Sequence, residues 1–199
     1  LVTTGPRQSG DNACVLGVPL QTKQIITGTI PSGRNEFSIY GANPNPPASY
    51  ADALLKFLQK NGISVQGKVQ VHYTPLPQLE NAFTETYTHI SPPVSKIIEL
   101  INSESHNMSS EAMLRCIGYI TKQKTDYKTA AESVKEIWKS KGLDSSLLNI
   151  EDGSGLSRKN LITADFLMEF LMLMQTRPYF ETYYKSLAIA GRTGTLKGW

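Results

Sequence analysis

The sequence predicts an α+β fold in which a β-rich first part precedes a helical second part. Apolar segments of strand character, separated by turn formers, fill the first forty residues, whereas from Ser91 onward apolar residues recur at helical spacing. Between the two, Thr74 to Asn81 carries Pro75 and Pro77, which interrupt ladders and helices alike and mark a hinge or linker. The expected organisation is a β-rich portion over residues 1–80, with one helix at about 48–61, and a helical portion over 81–199.

Taken in order, 13–18, 23–30 and 36–40 read as strands, and Pro31-Ser32-Gly33-Arg34-Asn35 as the turn between the last two, which suggests a small antiparallel meander. Pro44-Asn45-Pro46-Pro47 breaks that pattern. From Ala48 the period becomes helical, with Ala51, Leu54, Leu55 and Leu58 on one face and Asn61-Gly62 as the C-terminal cap. Val65 to Tyr73 and Thr84 to Ile90 read as further strands. Ser91 caps a helix starting at Pro92-Pro93, along which Val94, Ile97, Ile98 and Ile101 form an inward stripe as far as Asn102. Three more helices follow, at about 109–121, 128–141 and 163–175, the last two ended by Gly142 and by Pro178.

Composition narrows the function. A hydrophobic fraction of 40% with 19% charged residues describes a globular chain. Its 20 Lys and Arg are interspersed with 17 Asp and Glu and form no basic block, so no nucleic-acid partner is expected. The most apolar run, Phe166 to Met174, is far shorter than the ~20 residues of a membrane span. Cys14 and Cys116 match no metal-ligand spacing and read as buried free thiols, while His72, His89 and His106 lack mutual spacing, so neither metal nor cofactor is expected. No charged, then apolar, leader opens the chain.

The triplet Ser105-His106-Asn107 falls between two predicted helices, in a turn that would expose the first and third side chains. A hydroxyl there can relay a proton and an amide can grip a peptide, but Ser and Asn are also the residues that cap helices. On its own the triplet reads as a pair of caps. Asp152-Gly153-Ser154-Gly155-Leu156-Ser157 reads as a tight loop, in which Gly153 and Gly155 allow close packing and Asp152 or Ser157 satisfies backbone amides. Ser154 and Ser157 have no base visible nearby in sequence, and Thr163 suits a cap of the next helix.

With their flanks, Ser91 to Ile98 and Glu111 to Arg115, these two segments resemble the class C low-molecular-mass penicillin-binding proteins, the D-alanyl-D-alanine carboxypeptidase/endopeptidase family. Ser-x-Asn is one of three motifs shared by penicillin-binding proteins and serine β-lactamases, with S-x-x-K and K-T-G. The family often has Asp where His106 stands. Weaker similarity at Gly10 to Ala13, Gly28 to Gly33 and Ser186 to Lys197 extends the resemblance over nearly the whole chain.

No serine here opens an S-x-x-K, and Arg192-Thr193-Gly194, which imitates K-T-G, sits in the Ala-Gly-x-x-Gly-Thr-Leu context that the family places ahead of its K-T-G. The resemblance therefore implies an internal piece of a longer exported protein. That piece would hold a β-rich inserted domain portion and the helical portion of a penicillin-binding, β-lactamase-like domain. The implied activity is acyl transfer from a D-Ala-D-Ala stem peptide of peptidoglycan, in the periplasm or cell envelope, with β-lactams as further ligands. Ser105 and Asn107 would be its catalytic residues here, and Asp152, Gly153, Ser154, Gly155 and Ser157 the supporting loop. A non-catalytic module that binds cell-wall peptides is the alternative. A helical portion parted from its sheet would leave an apolar face that a homodimer could cover.

Overall fold

A computed structural model describes residues 1–21, 23–74 and 87–199. The chain divides into two compact units, Leu1–Thr86 and Tyr87–Trp199. Strands dominate the first and helices the second, as an α+β chain requires.

The first unit holds a three-stranded sheet of β1 (Val2–Gly5), β2 (Asn12–Gly17) and β3 (Gln24–Pro31), in the order β1-β3-β2. Strands β2 and β3 pair antiparallel, with Cys14 opposite Thr27, but β1 runs parallel to β3, with Val2 opposite Gly28. The expected meander is corrected in its third strand. Residues 36–40 form none, and the free edge of β3 is taken by the β-branched Val2-Thr3-Thr4, a segment too short to show a period. Residues 65–73 also form no strand. Val65 and Val69 instead line one groove with Leu54, Leu55 and Leu58, so their apolar alternation covers a helix and pairs with no neighbour.

That helix, α1 (Pro46–Lys60), starts two residues earlier than its period suggests because its prolines occupy the first positions, where no amide is needed. Asn45 Oδ1 accepts from the Ala48 amide at 3.2 Å, and Asn61 with Gly62 (φ 79°) closes the other end. Residues 84–86 of the strand expected at 84–90 lie outside the described residues, and 87–90 have no regular structure.

The second unit contains α2 (Val94–Glu104), α3 (Asn107–Lys122), α4 (Tyr127–Ser140), the short antiparallel pair β4 (Leu148–Asn149) and β5 (Leu161–Ile162), α5 (Ala164–Gln175) and α6 (Phe180–Ser186). Helix α2 begins at Val94 with Pro93 as its cap, so Ser91 does not serve, and it runs past Asn102 to Glu104. Helix α5 is capped as the sequence suggests, Thr163 Oγ1 accepting from the Phe166 amide at 3.1 Å. Among the described residues, the buried side chains Leu114, Ala130, Ala131, Leu143, Phe166 and Met174 form the core of this unit.

Helices α3 and α4 cross closely where Gly118 meets Ala130, and the buried Ser133 hydroxyl accepts from Thr121 Oγ1 at 2.7 Å. An edge-on aromatic series, Trp138 to Phe170 at 5.0 Å and Phe170 to Tyr183 at 6.1 Å, links α4, α5 and α6. Two expectations about burial are corrected. Ile120, expected inside, is 75% exposed, because Leu114 and Gly118 define the inner face of α3. Cys14 and Cys116 are free but exposed; Cys116 lies two positions from both Leu114 and Gly118 and so faces away from the core.

Candidate active site

Helix α2 ends on Ser105, whose backbone is left-handed at φ 53° and ψ 46°, a conformation that terminates a helix and costs a non-glycine residue roughly 1 kcal/mol. The next residue caps α3. His106 Nδ1 accepts from the Ser109 amide at 3.3 Å and pairs with Ser109 Oγ at 2.8 Å, an imidazole doing what a short polar side chain usually does. Asn107 is already the first helical residue. Reading Ser105 and Asn107 as side-chain caps is therefore corrected: both are exposed, and among the described residues neither side chain makes a hydrogen bond. The turn keeps its shape without using either side chain.

Three contacts fix the helix ends on either side of it. Asn102 Nδ2 donates to Ser186 Oγ at 2.7 Å, and the buried Ser186 hydroxyl donates to the Tyr183 carbonyl at 2.6 Å, so the last turn of α2 is tied to α6. Gly194, at φ 61°, lies so close to the Ser103 carbonyl oxygen that a methyl group there would overlap it. The segment around it closes on itself: Ile189 N donates to Thr193 Oγ1 at 2.9 Å and Gly191 N to the Leu196 carbonyl at 3.0 Å. Arg192-Thr193-Gly194 is thus part of a folded loop against the end of α2.

The third contact is the loop from Glu151 to Asn160. Asp152 accepts from the Gly155 and Ser157 amides, both at 2.7 Å, and from Asn160 Nδ2 at 2.8 Å, while Asn160 Oδ1 accepts from the Glu151 amide at 2.8 Å. Ser157 Oγ accepts from the Lys159 amide at 3.3 Å. Gly153 lies flat on α3, where a methyl group would overlap the Ser110 carbonyl oxygen. Glu111 of α3 then accepts from the Gly153 and Ser154 amides, each at 3.1 Å, and from Ser154 Oγ at 2.6 Å. Sequence reasoning gave Glu111 no role. Its position four residues after Asn107 was the signal available, since that spacing puts both on one helix face.

Residues 9–198 match the sequence profile of the D-Ala-D-Ala carboxypeptidase 3 (S13) family. The chain belongs to this family. It is 28% identical over 188 residues to the D-alanyl-D-alanine carboxypeptidase of Actinomadura sp. (strain R39), and 24% identical over 174 residues to D-alanyl-D-alanine carboxypeptidase DacB of Haemophilus influenzae. These alignments cover 94% and 87% of the S13 chain but 35% of each relative, so the chain spans about a third of their length. It also superposes on penicillin binding protein 4 of H. influenzae, solved in complex with a β-lactam, with a TM-score of 0.72 and 22% identity, covering 94% of this chain and 42% of that one.

Electrostatics in the S13 chain follow the hydrogen bonds. Partial burial opposes charge on Glu111, but the Ser154 hydroxyl and the Gly153 and Ser154 amides outweigh it and hold the carboxyl below its ordinary value. Desolvation likewise opposes charge on Asp152, and bonds from Asn160, Ser157 and Gly155 win, so this carboxyl also lies low. An apolar groove of about 440 Å³, lined by Ile101, Met113, Ile117, Val134, Leu148 and Ile162, adjoins Asp152 and Gly153. Neither Ser105 nor Asn107 lines it. Among the described residues no three His, Cys, Asp or Glu side chains converge as a metal site would need, and no helix is long and apolar enough to cross a membrane.

Proposed function

We propose that this chain is part of a serine D-Ala-D-Ala carboxypeptidase/endopeptidase that cleaves peptidoglycan stem peptides through an acyl-enzyme, and that it supplies the Ser-x-Asn element. The carrying observation is that the Ser105 and Asn107 side chains are exposed and, among the described residues, make no hydrogen bond, while His106 between them performs the capping. Ser105 Oγ passes a proton to the departing D-alanine nitrogen, and the Asn107 amide aligns the substrate backbone. Asp152, Gly153, Ser154, Gly155 and Ser157 form the wall that supports the turn. The nucleophilic serine, its lysine and the K-T-G strand lie outside these residues.

In this reading residues 1–80 belong to an inserted β-rich domain and 81–199 to the helical portion of the penicillin-binding domain; the division of the chain into Leu1–Thr86 and Tyr87–Trp199 supports it. The parent protein works in the periplasm or cell envelope and binds β-lactams as substrate mimics. Self-association through exposed apolar side chains of α5, such as Met168 and Met172, is a subsidiary expectation.

The test is acylation by a fluorescent penicillin together with turnover of a peptide ending in D-Ala-D-Ala. The protein that carries this chain reacts, and its Ser105→Ala variant turns over far more slowly with an unchanged thermal midpoint. The 199-residue chain alone does not react. A penicillin-sized mass gain on that chain would refute the placement of the nucleophile, and peptide binding without acylation of the parent would favour a non-catalytic module.

A further inference from the structure

We propose that Glu111 is a positioning residue for the Ser105–Asn107 turn, clamping the first turns of α3 to the Glu151–Asn160 loop so that Asn107 meets substrate at a fixed angle. The proposal rests on the reading of that turn as catalytic. Helix α3 is secured at its far half by α4, through Gly118 against Ala130 and Thr121 on Ser133. Its near half is secured differently. Among the described residues, every side-chain hydrogen bond that leaves residues 107–114 for another element ends on Glu111.

Both carboxylate oxygens are used, Oε2 accepting from Gly153 N and Oε1 from Ser154 N and Oγ. The contact transmits to the turn over one helical step. Gly153 lies on the Ser110 carbonyl oxygen, and Ser110 Oγ donates back to the His106 carbonyl at 3.3 Å. Glu111 and Asn107 stand one above the other at i and i+4, so rotation or lifting of α3 at Glu111 displaces the Asn107 amide. The low-lying carboxyl of Glu111 agrees with a group that stays ionised to receive these donors.

Glu111→Gln tests this with little change of volume, because the amide keeps one acceptor but turns an NH₂ toward a backbone N–H. In the protein that carries this chain, E111Q is expected to slow penicillin acylation roughly tenfold. In an Asn107→Ala background the same change should add less than about twofold, because the lever no longer has a load. Backbone amides of His106 to Ser109 should exchange faster in E111Q, with those of α4 unaffected. Equal slowing in both backgrounds, or unchanged exchange at 106–109, overturns the positioning role.

If N107A leaves acylation untouched, the catalytic reading of the turn fails, and the exchange measurement still decides whether Glu111 fixes its geometry. Should E111Q not fold, Ser154→Ala removes one of the donors to Glu111 and the same cycle applies, with a loss of about threefold.

Discussion

The Ser105–Asn107 turn and the Glu151–Asn160 loop are built from similar short polar residues, both border the start of α3, and use those residues in opposite ways. In the loop, Asp152, Ser154, Ser157 and Asn160 all have hydrogen-bond partners. In the turn, Ser105 and Asn107 have none among the described residues, and the shape is kept by His106, by Gly194 and by the Asn102–Ser186 bond. Residue type therefore does not tell the two regions apart. They differ in whether the fold uses the side chain.

The widest separation between the two regions should come from Ser105→Ala and Asn107→Ala in the protein that carries this chain. Turnover of a D-Ala-D-Ala peptide is expected to fall by roughly 10² or more, while calorimetry finds stability within about 0.5 kcal/mol of the parent. Parallel losses of rate and stability would abolish the distinction. Next in size is Gly153→Ala, which pushes a methyl group onto the Ser110 carbonyl and is expected to cost about 1–3 kcal/mol in a denaturant titration.

Acid should loosen the loop and, through Glu111, the start of α3. The carboxyls of Glu111 and Asp152 both lie below their ordinary values of 4.5 and 3.8, so the unfolded chain binds protons first as pH falls. Their contribution is complete above that range and is lost as pH drops below it. Amide protection at Gly153, Ser154, Gly155 and Ser157 should then decline together, and protection that rose on acidification would contradict the assignment. Ser105→Gly separates the backbone of the turn from its side chain, with a small effect on stability. Glycine relieves the left-handed backbone but loosens the unfolded chain, so stability changes by less than about 1 kcal/mol while turnover is lost with the hydroxyl.

Long periodic elements were legible in the sequence. Helices α3, α4 and α5 match their expected bounds to within two residues, and Thr163 was identifiable as a cap because Thr before an apolar run has few other uses. Pairings between distant residues were not legible. The parallel edge strand β1 has four residues and no period, and β4 and β5 have two each. Within the site, the Asp152 loop was readable because its bonds are local, from Asp152 to Gly155, Ser157 and Asn160. Glu111 was not, because its partners stand 42 and 43 residues away, and neither was the capping by His106, since histidine is an uncommon choice for that position.

The bond from Asn102 to Ser186 spans 84 residues of chain, twice the separation between Glu111 and Gly153. Loop-closure entropy grows slowly, by about 0.6 kcal/mol per doubling, so the two ties differ little in their equilibrium cost but differ in when they can form during synthesis. A nascent chain that has reached α5 already carries the triplet and the loop beside it, yet the end of α2 still lacks its tie to α6. The pose of Ser105 is therefore among the last features of this unit to be set. A half-made chain would display the motif without its final geometry.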